Sequence, residues 1–378
     1  MARRALIVGA GIGGLAAGRV LREKGFEVRI LERAPRLEPL GAGISLWPNA
    51  VRALKRIGVG EMASAVSIPD PDPGIRNRNG KLLARTNPAA IQERFGAPIL
   101  LLHRANLQHE LLADGIGDLV QTGVEVAGIS EEGTRVIART SGDEAFEADL
   151  VVGADGIHST VRAELLADGP PRHSGLLAYR GIVEHPGFDI RWGEYWGAGC
   201  IFGVVPIDAG RIYWFATRRT EGGEPPEENP IPGLLGRFEG WAPEIRSVIA
   251  ATPPHAVLRH DLFDRRPDGR WTSGSVALLG DAAHPMLPFL GQGACQALED
   301  AVALGTALGE AEDVPEALRS YQAARRPRAS RIVEESRRFG RLSHLRSAPA
   351  RAVRDRILAL TPESVRMRRL AGIVGAMP

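Results

Sequence analysis

The chain has 378 residues, 44% hydrophobic and 24% charged, with 47 Lys and Arg set against 45 Asp and Glu. That balance supplies no general field for nucleic acid or an anionic membrane, and the length leaves room for two domains with a sizeable core. The 45 glycines exceed the roughly 26 that an average usage of about 7% would supply, and they follow no collagen-like period, so they mark places where backbone turns tightly or approaches a ligand.

Cys200 and Cys295 form no CxxC or Cys/His ligand spacing, so neither a disulfide framework nor a metal site is expected. Arg3 and Arg4 precede an apolar run at 5–8 that superficially resembles a secretory leader. The run falls far short of the roughly 7 to 15 residues a leader needs, and nowhere do about 18 apolar residues follow one another. A cytoplasmic protein without stable membrane insertion, monomer or homodimer, is the expectation.

In chain order, residues 5–8 read as a strand buried in a parallel sheet, followed by a helix with Leu15, Ala16, Val20 and Leu21 on one face and a second strand at 27–31. The stretch GAGISLWPNA at 41–50 leads into a helix with Ala50, Val51, Leu54 and Ile57 on one side. Residues 69–99, with five prolines, read as loop and short strand. Asn106 is predicted to cap a helix with Leu107, Leu111 and Leu112 on its face. Residues 124–129 and 134–140 pair as a hairpin, and 150–152 form another buried strand. Between 174 and 270 the texture changes to strands at 176–183, 200–205 and 211–216, rich in aromatic and β-branched residues and separated by Gly/Pro turns. A buried strand at 275–279 and two long helices, 291–309 and 315–343, follow. The last thirty residues are Arg-rich and helical in pattern, and they are expected to pack on the protein or a partner subunit.

The sharpest local signal is Gly9-Ala10-Gly11-Ile12-Gly13-Gly14, a GxGxxG fingerprint between strand and helix. Gly9 permits the turn, Gly11 lets backbone approach a pyrophosphate, Gly14 lets the helix pack on the strand, and the helix N-terminus supplies free amides. Glu32 ends the second strand about 18 residues beyond Gly14, where a carboxylate can accept both hydroxyls of an adenosine ribose. Its charge disfavours a 2'-phosphate, which leaves NAD or FAD.

Two later stretches decide between them: residues 149–162, DLVVGADGIHSTVR, and residues 274–285, GSVALLGDAAHP, followed by Pro288 and Gly291-Gln292-Gly293. Together with the first fingerprint these resemble the three ordered motifs of the class A, single-component flavoprotein monooxygenases, the aromatic hydroxylase family. GAGISLWPNA, with Cys295 where many relatives have asparagine, leans toward the salicylate hydroxylase, urate hydroxylase and zeaxanthin epoxidase branch.

The resemblance implies FAD held permanently and NAD(P)H as a visiting reductant. Its FAD contacts carry over to Gly9, Ala10, Gly11, Ile12, Gly13, Gly14, Glu32, Arg33, Gly41, Gly43, Ile44, Arg104, Val126, Asp155, Asp281, Gly291, Gly293 and Ala294. Asp281 is placed to accept a ribityl hydroxyl, and the amides of 291–294 would face the flavin edge that becomes negative on reduction. Asp155 and Arg162 match a motif that serves both FAD and NAD(P)H, with an ordinary buried ion pair as the alternative. The implied fold is α/β: a Rossmann-like FAD-binding domain (1–70, 100–173, 271–340) interleaved with a mainly β substrate domain (71–99, 174–270), and a helical segment at 341–378.

The implied activity is oxygen insertion through a flavin hydroperoxide, hydroxylating or epoxidising an aromatic or apolar small molecule with O2 and NAD(P)H. Pocket walls are expected from Ile201, Gly203 and Val205, or their alternates Phe202 and Val204, with Tyr213, Phe215 and residues 285–289. Candidate catalytic groups are Tyr213, His284, Pro288 and Arg180, with His103 a further candidate to activate a phenol. Where the urate-hydroxylase branch has a substrate-binding arginine, this chain offers Cys200 or Ile201, which points to a less polar substrate. A flavin-dependent halogenase is the first alternative. It needs a pocket lysine and a WxWxIP motif, whereas the lysines here are Lys24, Lys55 and Lys81 and the motif is absent. An FAD-binding redox sensor without turnover is the second.

Overall fold

The run at 5–8 forms β1 (Arg4–Val8), joined through α1 (Ile12–Glu23) to β2 (Glu27–Glu32), and the two strands are parallel. These elements come from a computed structural model, which describes every residue except 1–2, 39–41, 61–67, 70–72, 134, 186, 188, 209, 226, 268 and 376–378. Gly41 lies outside the described residues. Next come β3 (Gly43–Leu46), α2 (Pro48–Arg56), β4 (Ile68–Pro69), β5 (Gly74–Asn77) and β6 (Leu82–Arg85). The stretch expected as loop and strand also contains a helix, α3 (Pro88–Phe95). Asn87 caps it by accepting from the Ala90 amide at 3.1 Å, and Pro88 sits at its first turn, where a missing N–H costs nothing. Pro88, one of the five prolines that argued for loop, starts a helix.

After β7 (Leu100–His103), α4 (Arg104–Leu112) starts three residues earlier than predicted. His103 Nδ1, not Asn106, accepts from the Ala105 amide at 3.1 Å, because an imidazole nitrogen can serve as a cap acceptor as an Asn oxygen does. There follow β8 (Val120–Thr122), β9 (Val126–Glu132), β10 (Arg135–Thr140), β11 (Ala145–Ala148), β12 (Leu150–Gly153) and α5 (Thr160–Leu166). The β insert supplies β13 (Arg172–Glu184), β14 (Gly193–Trp196), β15 (Cys200–Pro206), β16 (Arg211–Arg219), α6 (Ile231–Arg237), α7 (Pro243–Ala251) and β17 (Leu258–Asp264). The chain ends with β18 (Thr272–Ser273), β19 (Val276–Leu278), α8 (Gly293–Glu310), α9 (Val314–Ser343), α10 (Ala348–Leu360) and α11 (Glu363–Val374).

Two large sheets organise these elements. The first runs β18-β19-β12-β1-β2-β8, parallel except for the β18 edge, and its central strands β1, β12 and β19 are apolar almost throughout because they are covered on both sides. Helices α1 and α8 pack tightly beside it. A Cβ at Gly305 would lie 2.0 Å from Val20 Cγ1, so glycine sets the distance between these helices. The second sheet runs β17-β13-β16-β15-β14-β5-β6, so residues 74–85 join strands more than a hundred residues later. The small sheet β3-β7-β4 joins α2 and α4 beside the two.

The seven-stranded sheet has two different faces. Phe202, Val204, Ile212 and Trp214 point into a core with Phe238 and Ile245 of the α6–α7 region. The opposite face carries Ala178, Trp196, Ile201 and Leu262, which pack against Leu287 and Phe289. In the Arg-rich tail, Arg354 is buried, donates to the carbonyl of Ser343 at 3.0 Å and lies over the Trp196 ring at 5.2 Å. No helix among the described residues is long and apolar enough to cross a membrane.

Candidate active site

At the end of β1 the chain turns through Gly9 with φ +104°, a conformation that side chains other than hydrogen strain to adopt. A Cβ at Gly14 would lie 1.9 Å from the Gly9 carbonyl oxygen, whereas one at Gly11 would meet nothing within 4 Å. Gly14 therefore serves helix packing, whereas the space beside Gly11 is open. Glu32 faces this turn, accepting from the amides of Ala10 (2.8 Å) and Ala34 (2.9 Å), one on each carboxylate oxygen. A second lone pair on each oxygen remains for a ribose hydroxyl. Gly9, Gly11, Glu32, Arg33, Val126, Asp155 and Gly156 line one cavity of about 220 Å³.

Asp155 and Arg162 do not pair. Asp155 accepts from the Ser159 hydroxyl (2.5 Å) and the Thr160 amide (2.7 Å) and so fixes the start of α5; burial raises its pKa despite these bonds. Arg162 binds Asp168 at 2.6 Å and donates to the carbonyls of Ala282 and Ala283, each at 2.9 Å. The ion-pair alternative fails because the short helix aims the guanidinium at the next motif. Arg162 thereby ties the second motif to the third.

The third motif places Asp281 in a tight turn with its carboxylate accessible. Burial raises its pKa and nearby His284 and Arg104 lower it. His284 is buried, its Nε2 2.6 Å from Asp300 and its ring 5.1 Å from that of Trp271. Asp300 also accepts from the Gly280 amide and from Arg325, whose other nitrogen reaches Glu299 at 2.5 Å. Burial disfavours the Asp300 carboxylate, yet His284 and Arg325 overcome it and hold the pKa at about 2. A buried polar network, in which His284 Nδ1 alone among these four side chains is left without a partner among the described residues, thus props up the turn, and nothing in the sequence pattern of α8 and α9 announced it. Pro288 is exposed, flanked by buried Leu287 and Phe289, and Gly291, with φ +60°, leads into Gly293 and Ala294 at the start of α8. The Cys295 thiol donates to the Gly291 carbonyl at 3.3 Å, and burial pushes its pKa up to about 12, so it behaves as a small apolar group.

Register settles which strand residues face this region. Ile201, Gly203 and Val205 share a face with Tyr213 and Phe215; Phe202 and Val204 point to the other core. The Tyr213 ring covers Gly43 on β3, where a Cβ would come within 2.5 Å of it, and Ile44 follows on that strand. Phe215 lies over Gly203, whose missing Cβ would be 2.1 Å away. Both glycines make room for aromatic rings, a use that glycine content alone did not reveal. Arg180 stands opposite Phe215 in register, and no carboxylate among the described residues lies within ion-pair distance of it. Burial raises the Tyr213 pKa, with Arg180 opposing, so the phenol keeps its proton at neutral pH. His103 Nδ1 is committed to the α4 cap, and burial, reinforced by Arg211, lowers its pKa.

A nucleotide cradle at one end of a parallel sheet, joined to a mixed sheet with an open aromatic face, defines a single-component flavoprotein. Residues 3–336 match the family described as FAD binding domain, and the chain belongs to that family, among the class A FAD-dependent monooxygenases that use NAD(P)H. It is 39% identical to the aurachin C monooxygenase/isomerase of Stigmatella aurantiaca, over 94% of this chain and 93% of that protein. It is 36% identical to the 3-amino-4-hydroxybenzoate 2-monooxygenase of Streptomyces cremeus, over 99% and 96%. The structure of Klebsiella pneumoniae HpxO complexed with FAD and uric acid superposes with a TM-score of 0.93 at 30% identity, covering 100% of this chain and 97% of that one. The halogenase and sensor alternatives are set aside in favour of oxygenation.

Proposed function

We propose that this enzyme inserts one oxygen atom into a small, largely apolar aromatic molecule held between the open face of the seven-stranded sheet and the β3 strand. The observation that carries this reading is the row of Ile201, Gly203 and Val205 beside Tyr213 and Phe215, an aromatic wall resting on Gly43. The residues present fit FAD: space is clear at Gly11, Glu32 has acceptor capacity left, and Asp281 is deep yet accessible. When bound, FAD reduced by NAD(P)H supplies activated oxygen.

In this reading Gly9 to Gly14 and Arg33 hold the pyrophosphate end, Glu32 the ribose, and Val126 the adenine side. Asp281 and Arg104 hold the ribityl chain, and the amides of Gly293 and Ala294 bind the ring edge that gains negative charge. Asp155 acts by anchoring α5. Tyr213, protonated, donates a hydrogen bond to a substrate oxygen, and Arg180 favours its ionised form. Leu287, Pro288 and Phe289 exclude water. His284 supports the Asp281 turn from beneath rather than meeting substrate. The parallel sheet with its helices serves as the cofactor domain and the seven-stranded sheet as the substrate domain, in a cytoplasmic monomer or homodimer.

Oxidation of NADH by the FAD-loaded enzyme, followed across a panel of phenols and N-heteroaromatics, tests the reading. At least one compound should stimulate oxidation and yield a product one oxygen atom heavier. Stimulation by none, or peroxide as the sole product throughout, would remove it.

A further inference from the structure

Strand register aligns one row across the open face: Ile75, Glu194, Gly203, Phe215, Arg180 and Leu258. The row beside it, through Trp196, Ile201 and Ala178, is closed by Leu287 and Phe289, and the row on the other side, through Tyr213, is closed by Gly43 of β3. The Glu194 row is therefore the strip left between the two closures. Glu194 lies deep in the molecule, and it nevertheless keeps accessible surface, as do Phe215 and Arg180. That surface lies on the strip between the two closures.

One carboxylate oxygen of Glu194 is held by the Trp196 indole N–H at 2.8 Å, its only hydrogen bond among the described residues. Trp196 is itself clamped by Arg354 over its face at 5.2 Å and by the Phe339 ring at 5.2 Å. The carboxylate is thus tethered, and among the described residues its second oxygen has no donor. No cation among the described residues lies within ion-pair distance. Three strand spacings, roughly 14 Å at the backbone, separate it from Arg180. That leaves width for one or two fused rings between the two side chains.

We propose that Glu194 is a substrate-recognition residue whose free oxygen accepts a hydrogen bond from a neutral N–H or O–H donor on the aromatic substrate, at the end of the ring remote from Arg180. This rests on the monooxygenase reading for the cavity it assigns. Burial raises the pKa of the carboxyl and the indole offsets this only in part, so a ligand donor supplies the partner the protein withholds. A carboxylate substituent at that end is disfavoured by like charge.

The test is a titration of the oxidised FAD holoenzyme, read from flavin absorbance, with the three aminophenols and the three cresols, in which NH2 and CH3 exchange at nearly constant shape. At least one aminophenol should bind about tenfold more tightly than its cresol, as expected where a buried acceptor is otherwise left unpaired. In Glu194→Gln the Trp196 N–H keeps the amide oxygen and turns the NH2 toward the cavity, so that ratio should fall close to one. FAD content reports that the variant folded, and Glu194→Met gives the same comparison if it does not. Equal binding of both sets by the wild type, or an unchanged ratio in the variants, overturns the proposal. Because binding is read without turnover, tight aminophenol binding with no oxygenated product would break the monooxygenase reading alone. Efficient oxygenation of cresols, indifferent to residue 194, would break this one alone.

Discussion

The glycine turn and the open sheet face are built by opposite means, and in the proposed function one holds cofactor and the other substrate. At the turn, backbone amides and missing side chains form the site, so the requirement falls on glycine: a Cβ at Gly14 strikes the Gly9 carbonyl at 1.9 Å, and one at Gly11 enters ligand space. On the sheet, side chains form the site, and Gly203, with Gly43 of β3, makes room there for the rings of Phe215 and Tyr213. A backbone site tolerates few sequences and specifies a cofactor. A side-chain site tolerates many and specifies a substrate.

The strongest way to break this contrast is at the turn itself. Gly14→Val is expected to cost about 4 kcal/mol or more, since backbone rather than a flexible side chain blocks it, and the variant should be insoluble or melt far below wild type. Gly11→Val should fold normally and lose FAD affinity by at least about tenfold, or 1.4 kcal/mol. Full yellow colour in purified Gly11→Val would contradict the division of labour between the two glycines.

The next largest effect concerns the seam where α9 meets the sheet. His344 bonds Thr217 at 2.8 Å and the Gly340 carbonyl at 2.8 Å, and burial, with Arg219 and Arg354 adding to it, lowers its pKa from 6.5 to about 4. A depressed histidine pKa means that protons bind the unfolded chain first. Stability is therefore complete above about pH 6.5 and falls as pH drops toward 4, by about 2 to 3 kcal/mol at most. Denaturant titrations between pH 7 and 4.5 should follow this slope, and His344→Gln should flatten it.

Smaller effects separate the sheet from the turn. Tyr213→Phe should lower kcat/KM about tenfold to a hundredfold while FAD content stays at the wild-type level. Less oxygenated product per NAD(P)H should accompany it, measured against peroxide. Gly203→Ala pushes on the Phe215 ring and should cost about 1 kcal/mol in substrate binding, seen in KM more than in kcat. A loss of flavin in either variant would blur the contrast.

Legibility in the sequence follows the same division. Gly9, Glu32, the Asp281 turn and the order of the three motifs were readable because each demands a residue type at a fixed spacing. The hairpin at β9–β10 and the helices α8 and α9 were readable from periodicity. Local competition misled in two places: His103 took the cap assigned to Asn106, and Asn87-Pro88 opened α3 inside a proline-rich stretch. Partners distant in sequence were unreadable. Arg162 could not be assigned to Asp168 and the carbonyls of Ala282 and Ala283, nor Arg354 to Trp196, from spacing alone.

By itself, then, the sequence determined a dinucleotide cradle and an aromatic β insert, since backbone geometry and hydrophobic period are local properties, while flavin chemistry was implied by the resemblance of three ordered motifs to a family. Which face of that insert turns toward β3 and the Leu287–Phe289 loop, and which acid stands on it, was decided by register. Glu194 shares a row with Arg180 only because four consecutive strands, paired in the order β13-β16-β15-β14, keep this register, and a one-residue slip of β14 would turn the Glu194 side chain to the opposite core.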